Sequence, residues 1–171
     1  NINNKLIYRH PHIFGNQKVE NSTEVLENWE RLKLKEKDGN KTVLQGVPKS
    51  LPAMIKALRI QDKVRGVGFD WDKREQVWDK VNEEVNGLKQ ELIKNPNSAE
   101  TEQEFGDLFF SLINAARLYK INPENALELT NRKFIKRFNY LEEQTIKKGV
   151  DLKSLTLAQM EEIWQQAKKF D

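Results

Sequence analysis

Two stretches with helical periodicity, separated by a single turn, constrain the fold of this chain more than any other feature. In the first stretch, apolar residues recur every three or four positions, at Val77, Val81, Val85, Leu88 and Leu92. This spacing is typical of one face of an amphipathic helix. Asn95-Pro96-Asn97 interrupts the pattern, and Ser98 can cap a second helix. The apolar face predicted for that second helix holds Phe105, Leu108, Leu112, Ala115 and Tyr119. The sequence therefore predicts two antiparallel helices that pack against each other.

Each of these two helices carries a short acidic cluster. The first is Glu83-Glu84, and the second contains Glu104 and Asp107. At about 100° per residue, Glu84, Glu104 and Asp107 border the buried faces of their helices. Carboxylates in such a place repel one another and lose hydration, so a hard divalent cation such as Mg²⁺ would neutralise them. Acidic pairs are also common on solvated helix faces, and spacing alone leaves that interpretation open for Glu83 and Glu84.

Helix start signals predict the rest of an all-α fold. Asp72 and Glu75 are predicted to form a capping box that opens the first acidic helix, and Thr156 with Gln159 a second capping box. Asn122-Pro123 supplies an N-cap and a first-turn proline. No alternating pattern indicates a strand. The predicted helices lie at about 22–36, 50–66, 72–95, 98–119, 123–147 and 156–164.

Composition limits the functional classes. The chain has 171 residues and no cysteine, which excludes disulfides and thiolate metal sites. Its net charge of +3 comes from 29 basic and 26 acidic residues whose signs alternate along the helices, so we expect no nucleic-acid partner. No apolar run reaches the ~20 residues of a membrane span, and the absence of cysteines and of a signal peptide favours the cytoplasm. With 37% apolar residues, we expect oligomerisation to bury additional surface.

Five sequence blocks, in this order, resemble the MazG family of all-α nucleoside triphosphate pyrophosphohydrolases. The blocks are 48–53, 67–71, 104–110, 131–138 and 160–168. Together they look like the second, C-terminal catalytic domain of a long two-domain member, here 48–171. Residues 1–47, which begin without a methionine, resemble the end of an upstream MazG-like domain and a connector with one helix.

The resemblance implies hydrolysis of nucleoside triphosphates to monophosphate and pyrophosphate, with broad base specificity. It implies Mg²⁺, with Mn²⁺ as an alternative, held by Glu84, Glu104 and Asp107. Glu83 would help to position the attacking water. The family architecture is a helical bundle completed by a partner subunit, so the resemblance also implies a homodimer.

The resemblance assigns the substrate to a basic and aromatic set, Lys133, Arg137, Trp164 and Lys168. Lys133 and Arg137 are spaced i, i+4 and so share one helix face. By composition alone both are equally consistent with surface cations. Trp164 either stacks on the base or packs as an ordinary core residue.

Two positions depart from the family pattern. Gly87 occupies the place of a third metal-binding glutamate, which Glu91 or Asn86 could replace only at a different spacing. Glu100 stands where family members often carry a basic residue. These departures support a second hypothesis, a catalytically weakened MazG-like domain that binds nucleotide or serves dimerisation. A third, a basic helical nucleic-acid binder, requires a one-sided Lys/Arg stripe, which the sequence does not contain.

Overall fold

The computed structural model describes residues 2–19, 22–35 and 42–170, which form α-helices and short 3-10 helices without a β-strand. The predicted all-α fold class is therefore confirmed. The 3-10 helices span Val43–Gly46, Arg74–Gln76, Ile146–Lys148, Leu152–Ser154 and Lys168–Phe170. The α-helices are α1 (Ile2–Arg9), α2 (Pro11–Phe14), α3 (Ser22–Lys35), α4 (Ala53–Arg65), α5 (Val77–Lys94), α6 (Ala99–Leu118), α7 (Pro123–Gln144) and α8 (Leu157–Ala167).

The chain divides into two compact units, 1–121 with α1 to α6 and 122–171 with α7 and α8. These units are defined by packing. The predicted division into a connector at 1–47 and a catalytic domain at 48–171 stays a prediction. None of the helices in the described ranges is both long and apolar enough to cross a membrane.

In the first unit, α5 and α6 form the predicted antiparallel pair. Val77 is fully buried and packs with Val81 and Ala115 at one end of the pair. The turn at the other end is capped as predicted, because Ser98 Oγ accepts a hydrogen bond from the backbone N–H of Thr101 at 3.1 Å. The Thr101 hydroxyl in turn donates to the carbonyl of Asn95 at 2.7 Å. Packing at one end and capping at the other fix how the two helices align.

The start of α5 differs from the prediction. The Asp72–Glu75 capping box is wrong, because Glu75 instead pairs with Arg74 at 2.9 Å. The side chain of Gln76 accepts a hydrogen bond from the backbone N–H of Lys73 at 2.9 Å, and α5 begins one turn later than expected, at Val77. Gln76 therefore takes the helix-capping role that the sequence pattern gave to Glu75.

The buried face of α6 also differs from the prediction. Phe105 and Leu112 are each 41% exposed, whereas the polar residues Thr101 and Ser111 are buried. The cause is that α6 packs against both α4 and α5. The residues that α6 buries are therefore not the most apolar ones in its sequence. Ser111 is accommodated there because its hydroxyl donates to the carbonyl of Leu108 at 2.9 Å.

Packing between α4 and α6 includes a polar contact, in which Gln61 Nε2 donates to the carbonyl of Phe110 at 2.9 Å. The loop after α4 turns at Gly68, whose φ of +87° favours glycine. Further along this loop, Asp70 forms an ion pair with Arg117 of α6 at 2.5 Å. The loop that precedes α5 is thus tied to the end of α6.

In the second unit, both α7 and α8 begin as predicted. Asn122 Oδ1 accepts from the backbone N–H of Asn125 at 3.0 Å, ahead of Pro123 in the first turn of α7. Gln159 Oε1 accepts from the backbone N–H of Thr156 at 2.9 Å, so the second predicted capping box is confirmed. The helix predicted to reach 147 ends at Gln144 and continues as the 3-10 turn Ile146–Lys148. α7 packs against α8.

Candidate active site

The predicted carboxylates lie on the α5–α6 pair. We call the strip that carries Glu84, Gly87, Glu104 and Asp107 the acidic seam. Glu84 and Glu104 are partly buried, whereas Asp107 is exposed. Glu83, the other predicted acid on α5, is also exposed, with 68% of its side chain accessible. The predicted residues thus divide into two that border the packed interface and two at its rim.

Gly87 and Glu104 approach each other closely across the seam. A Cβ atom built at Gly87 would lie 2.6 Å from Oε2 of Glu104, which is shorter than real Cβ contacts. Glycine therefore leaves the space that the Glu104 carboxylate occupies, although a helical glycine costs about 0.5–1 kcal/mol relative to alanine. Position 87 faces the acidic seam, so the departure seen in the sequence falls within the candidate site.

Lys80 is a member of the site that the sequence analysis missed. Its ammonium lies 2.8 Å from Glu83 and 2.7 Å from Glu84, one turn further along α5. Hydrogen bonds to Glu83 and then to Glu84 raise the pKa of Lys80 above its ordinary value. The ammonium therefore stays protonated at neutral pH and offsets part of the charge of the two carboxylates. The i, i+3 and i, i+4 spacing was the signal that could have revealed it.

The predicted substrate residues lie in the second unit. The Arg137 guanidinium of α7 sits over the Trp164 ring of α8, 5.6 Å from its centroid, which is within the range of a cation–π contact. Lys133 on α7 and Lys168, just after α8, are exposed. The structure therefore brings Arg137 and Trp164 together and leaves the two lysine side chains accessible to solvent.

Phe134 joins this group and was not predicted. Its ring centroid lies 4.9 Å from that of Trp164, with the planes tilted by 55°. Its position three residues before Arg137 places both side chains on the same side of α7. That spacing could have indicated Phe134 from the sequence.

Curated proteins similar to this chain include two named enzymes and one uncharacterised protein. Nucleoside triphosphate pyrophosphohydrolase of Escherichia coli is 39% identical over 171 residues, covering 98% of this chain and 65% of that protein. The protein of Thermotoga maritima named nucleoside triphosphate pyrophosphohydrolase/pyrophosphatase MazG is 40% identical over 171 residues, covering 99% of this chain and 64% of that protein. Identity of 39–40% over nearly the whole chain supports its assignment to the MazG family.

The similarity covers nearly all of this chain but only part of each relative. Uncharacterized protein YabN of Bacillus subtilis is 43% identical over 169 residues, covering 98% of this chain and 35% of that protein. The chain thus spans slightly less than two thirds of each of the two named enzymes and about a third of YabN. No family model matches the chain.

The donor set of the acidic seam fits a hard divalent cation in its chemistry. Glu84, Glu104 and Asp107 offer carboxylate oxygens, the ligands that Mg²⁺ prefers. Within the described residues, no three Asp, Glu, His or Cys side chains converge closely enough to hold a metal ion. Lys80 instead neutralises Glu84, so a cation would have to displace the ammonium and draw the carboxylates together.

The other positions that depart from the MazG pattern have their own surroundings. Glu91 is partly buried, with 21% of its side chain exposed, and pairs with Lys94 at 3.0 Å. Asn86 and Glu100 are exposed, and Glu100 lies in the first turn of α6. Whether Glu91 or Asn86 replaces the missing carboxylate stays a prediction.

Proposed function

We propose that this chain catalyses the Mg²⁺-dependent hydrolysis of nucleoside triphosphates to nucleoside monophosphate and pyrophosphate, with broad base specificity. One observation carries the proposal. Glu104 of α6 reaches across to α5 at Gly87, one turn beyond Glu84, so both acidic motifs contribute to one seam. The reaction itself comes from the names of the Escherichia coli and Thermotoga maritima relatives.

In the proposed reaction, water attacks the α-phosphorus, the α–β phosphoanhydride bond breaks and pyrophosphate leaves. Glu84, Glu104 and Asp107 would hold the Mg²⁺ ion, with Mn²⁺ as an alternative. The ion would supply a more nucleophilic water and neutralise phosphate charge. Glu83, exposed beside the seam, would accept a hydrogen bond from the attacking water and orient it.

The substrate would be held by cations and an aromatic side chain of the second unit. Lys133, Arg137 and Lys168 would bind phosphate oxygens and offset the charge that develops during phosphoryl transfer. The contact of the Arg137 guanidinium with the Trp164 ring supports a shared role for these two residues. Trp164 would supply an aromatic surface for the base, and aromatic contacts discriminate weakly between bases because every base has a π-face.

We also propose that a second copy of this chain covers the outer face of α6. Phe105, Phe109 and Leu112 follow one another at i, i+4 and i+7 and are 41%, 60% and 41% exposed. An apolar stripe of this kind is unfavourable in water and typical of a protein–protein interface. Sedimentation velocity at micromolar concentration should report a dimer, and a fully helical monomer would contradict the proposal.

A catalytically weakened nucleotide-binding or dimerisation domain is the second candidate. Gly87 removes one carboxylate from the site, and Lys80 occupies two others. Fewer ligand charges weaken the binding of a hard cation. This candidate predicts that nucleotide binds without turnover.

Product analysis distinguishes the two candidates. The purified chain is incubated with Mg²⁺ and a panel of nucleoside triphosphates, and the products are separated by anion-exchange chromatography. Monophosphate with pyrophosphate is expected. Diphosphate with inorganic phosphate would contradict attack at the α-phosphorus, and binding without turnover would favour the weakened domain. A matched incubation with EDTA controls for metal dependence.

A further inference from the structure

Gln61 of α4 is a buried amide of which the fold uses one end. It is 3% exposed, and its Nε2 donates a hydrogen bond to the carbonyl of Phe110 in α6 at 2.9 Å. Among the described residues, no donor lies within hydrogen-bond distance of Gln61 Oε1. A buried acceptor without a partner is destabilising, so an apolar side chain of similar size would suit a purely structural role better.

The carbonyl of Phe110 fixes the orientation of this amide. If the amide oxygen and nitrogen were exchanged, two acceptors would face each other across the contact. Phe110 lies inside α6, where its carbonyl also accepts from the backbone N–H four residues later. Removing the Gln61 amide therefore leaves this carbonyl with its helical partner. What Gln61 adds is a directional contact between two helices.

The rotation of α6 about its axis matters because the acidic seam depends on it. Glu104 and Asp107 lie on α6 within the two turns before Phe110. A Cβ atom built at Gly87 would lie 2.6 Å from Glu104 Oε2, so this carboxylate fits closely against α5. A side chain that ends about 5–6 Å from the helix axis moves by about 1 Å for each 10° of rotation. A small rotation would thus change where both carboxylates point.

Apolar packing alone restrains such a rotation weakly. The burial of apolar surface is non-directional, whereas a hydrogen bond weakens steeply as its angle departs from linearity. Because α6 packs against both α4 and α5, Gln61 holds α6 from the α4 side, and the acidic seam lies on the α5 side. The amide is therefore placed to set the rotation of the helix that carries two of the carboxylates.

We propose that Gln61 is a positioning residue for the acidic seam. Its hydrogen bond to Phe110 sets the rotation of α6 and thereby directs the carboxylates of Glu104 and Asp107 toward the cation. This inference rests on the proposed function, because it takes Mg²⁺ as the ion of the seam. It explains why α4 buries an amide at a position where an apolar side chain would fit.

The test compares two cations that differ in the ligand geometry they require. Mg²⁺ requires nearly ideal octahedral ligands, whereas Ca²⁺ accepts irregular ones. Both ions are titrated by calorimetry into the full chain and into Gln61→Met, which removes the amide and keeps a similar side-chain volume. We expect about a tenfold loss of affinity for Mg²⁺ and at most about a twofold loss for Ca²⁺. The midpoint of urea unfolding should not fall, because the variant no longer buries the Gln61 acceptor.

Ser111→Ala is the matched control, because Ser111 is also buried, follows Phe110 directly and donates within α6, to the carbonyl of Leu108 at 2.9 Å. It should bind both ions as the unchanged chain does. Gln61→Asn, whose amide is one methylene shorter, should show the same selective loss, and it replaces Gln61→Met if circular dichroism shows that variant to be unfolded. Equal losses for both ions, an unchanged Mg²⁺ affinity, or an equal loss in Ser111→Ala would each overturn the positioning role.

The outcome separates this inference from the proposed reaction. An unchanged Mg²⁺ affinity in Gln61→Met, with release of monophosphate and pyrophosphate, would overturn the positioning role and keep the reaction. A selective loss of Mg²⁺ affinity, with no hydrolysis by the unchanged chain, would support the positioning role and overturn the reaction. An unchanged chain that binds no Mg²⁺ would overturn both.

Discussion

Two regions of the α5–α6 pair satisfy their charged side chains differently. At the end next to the α4–α5 loop, the partners are polar groups held by the fold, whereas the partner in the acidic seam is a partly exposed lysine. Arg117 is the centre of the first region, with only 7% of its side chain exposed. It donates to both carboxylate oxygens of Asp70 at 2.5 and 3.0 Å. It also donates to Asn114 Oδ1 from two nitrogens, at 2.8 and 3.1 Å.

In the acidic seam, Glu84 is buried to a comparable degree but has a different kind of partner. The Glu84 side chain is 14% exposed, and its counter-ion Lys80 is 41% exposed on a flexible stem. Glu104 faces a glycine rather than a donor side chain. The difference separates charges that hold the fold together from charges that remain available to a ligand. Substitutions in the first region should change stability, and substitutions in the second should change metal binding and turnover.

The largest expected effect is on turnover in the seam. Glu104→Gln and Asp107→Asn remove ligand charge while keeping side-chain size, so each should lower kcat by about a hundredfold or more. Stability should change by less than about 0.5 kcal/mol, because both groups lie at or near the surface. Pyrophosphate release and urea unfolding measure the two quantities. Retained turnover in both variants would refute the site assignment.

The next effect is on stability at the Arg117 end. Arg117→Leu removes the side-chain donor of Asn114 and leaves Asp70 with the backbone N–H of Trp71 alone. Removing one partner of a largely buried pair should cost about 2–3 kcal/mol of unfolding free energy. Lys94→Ala is the control, since the Lys94–Glu91 pair has a lysine that is 68% exposed and should contribute under about 0.5 kcal/mol. Equal effects in urea unfolding would remove the distinction between the two kinds of pair.

Sequence predicted best those features that depend on a few consecutive residues. The caps at Ser98, Asn122 and Thr156 are confirmed because each uses a side chain and a backbone N–H three residues away. The capping box at Asp72 failed for the same local reason, since Gln76 offers an acceptor that serves the backbone N–H of Lys73. Local chemistry identifies the candidate caps but does not decide between neighbouring competitors.

Sequence was less able to predict what depends on the approach of two helices. Motif spacing located Glu84 and Glu104 but could not show that the Glu104 carboxylate occupies the space left by Gly87. The buried face of α6 was assigned from its apolar residues, whereas contact with two helices decides it. The roles of the site residues stay predictions, and the variants described here test them.

Restoring a carboxylate at position 87 should sharpen the contrast between the two regions. Gly87→Glu should raise Mg²⁺ affinity about tenfold, because the number of ligand charges tunes affinity for hard cations. Its Cβ must displace the flexible end of Glu104, and Gly87→Ala controls for that displacement and for the gain in helix propensity. Titration of Mg²⁺ by calorimetry measures the difference. Equal affinities for the two variants would mean that position 87 does not face the metal.

Removing the counter-ion of the seam should give the smallest of these effects. Lys80→Met deletes the ammonium that a cation would have to displace from Glu83 and Glu84, so Mg²⁺ affinity should rise about threefold at low ionic strength. Because the pKa of Lys80 is raised, its ammonium keeps its proton throughout the neutral pH range. The competition between this ammonium and Mg²⁺ should therefore not change with pH in that range. The gain should shrink in high salt, which screens an exposed charge.

Lys89→Met, which removes another exposed lysine of α5, controls for the change in net charge. A gain of the same size in both variants would assign the effect to net charge and leave Lys80 without a specific role.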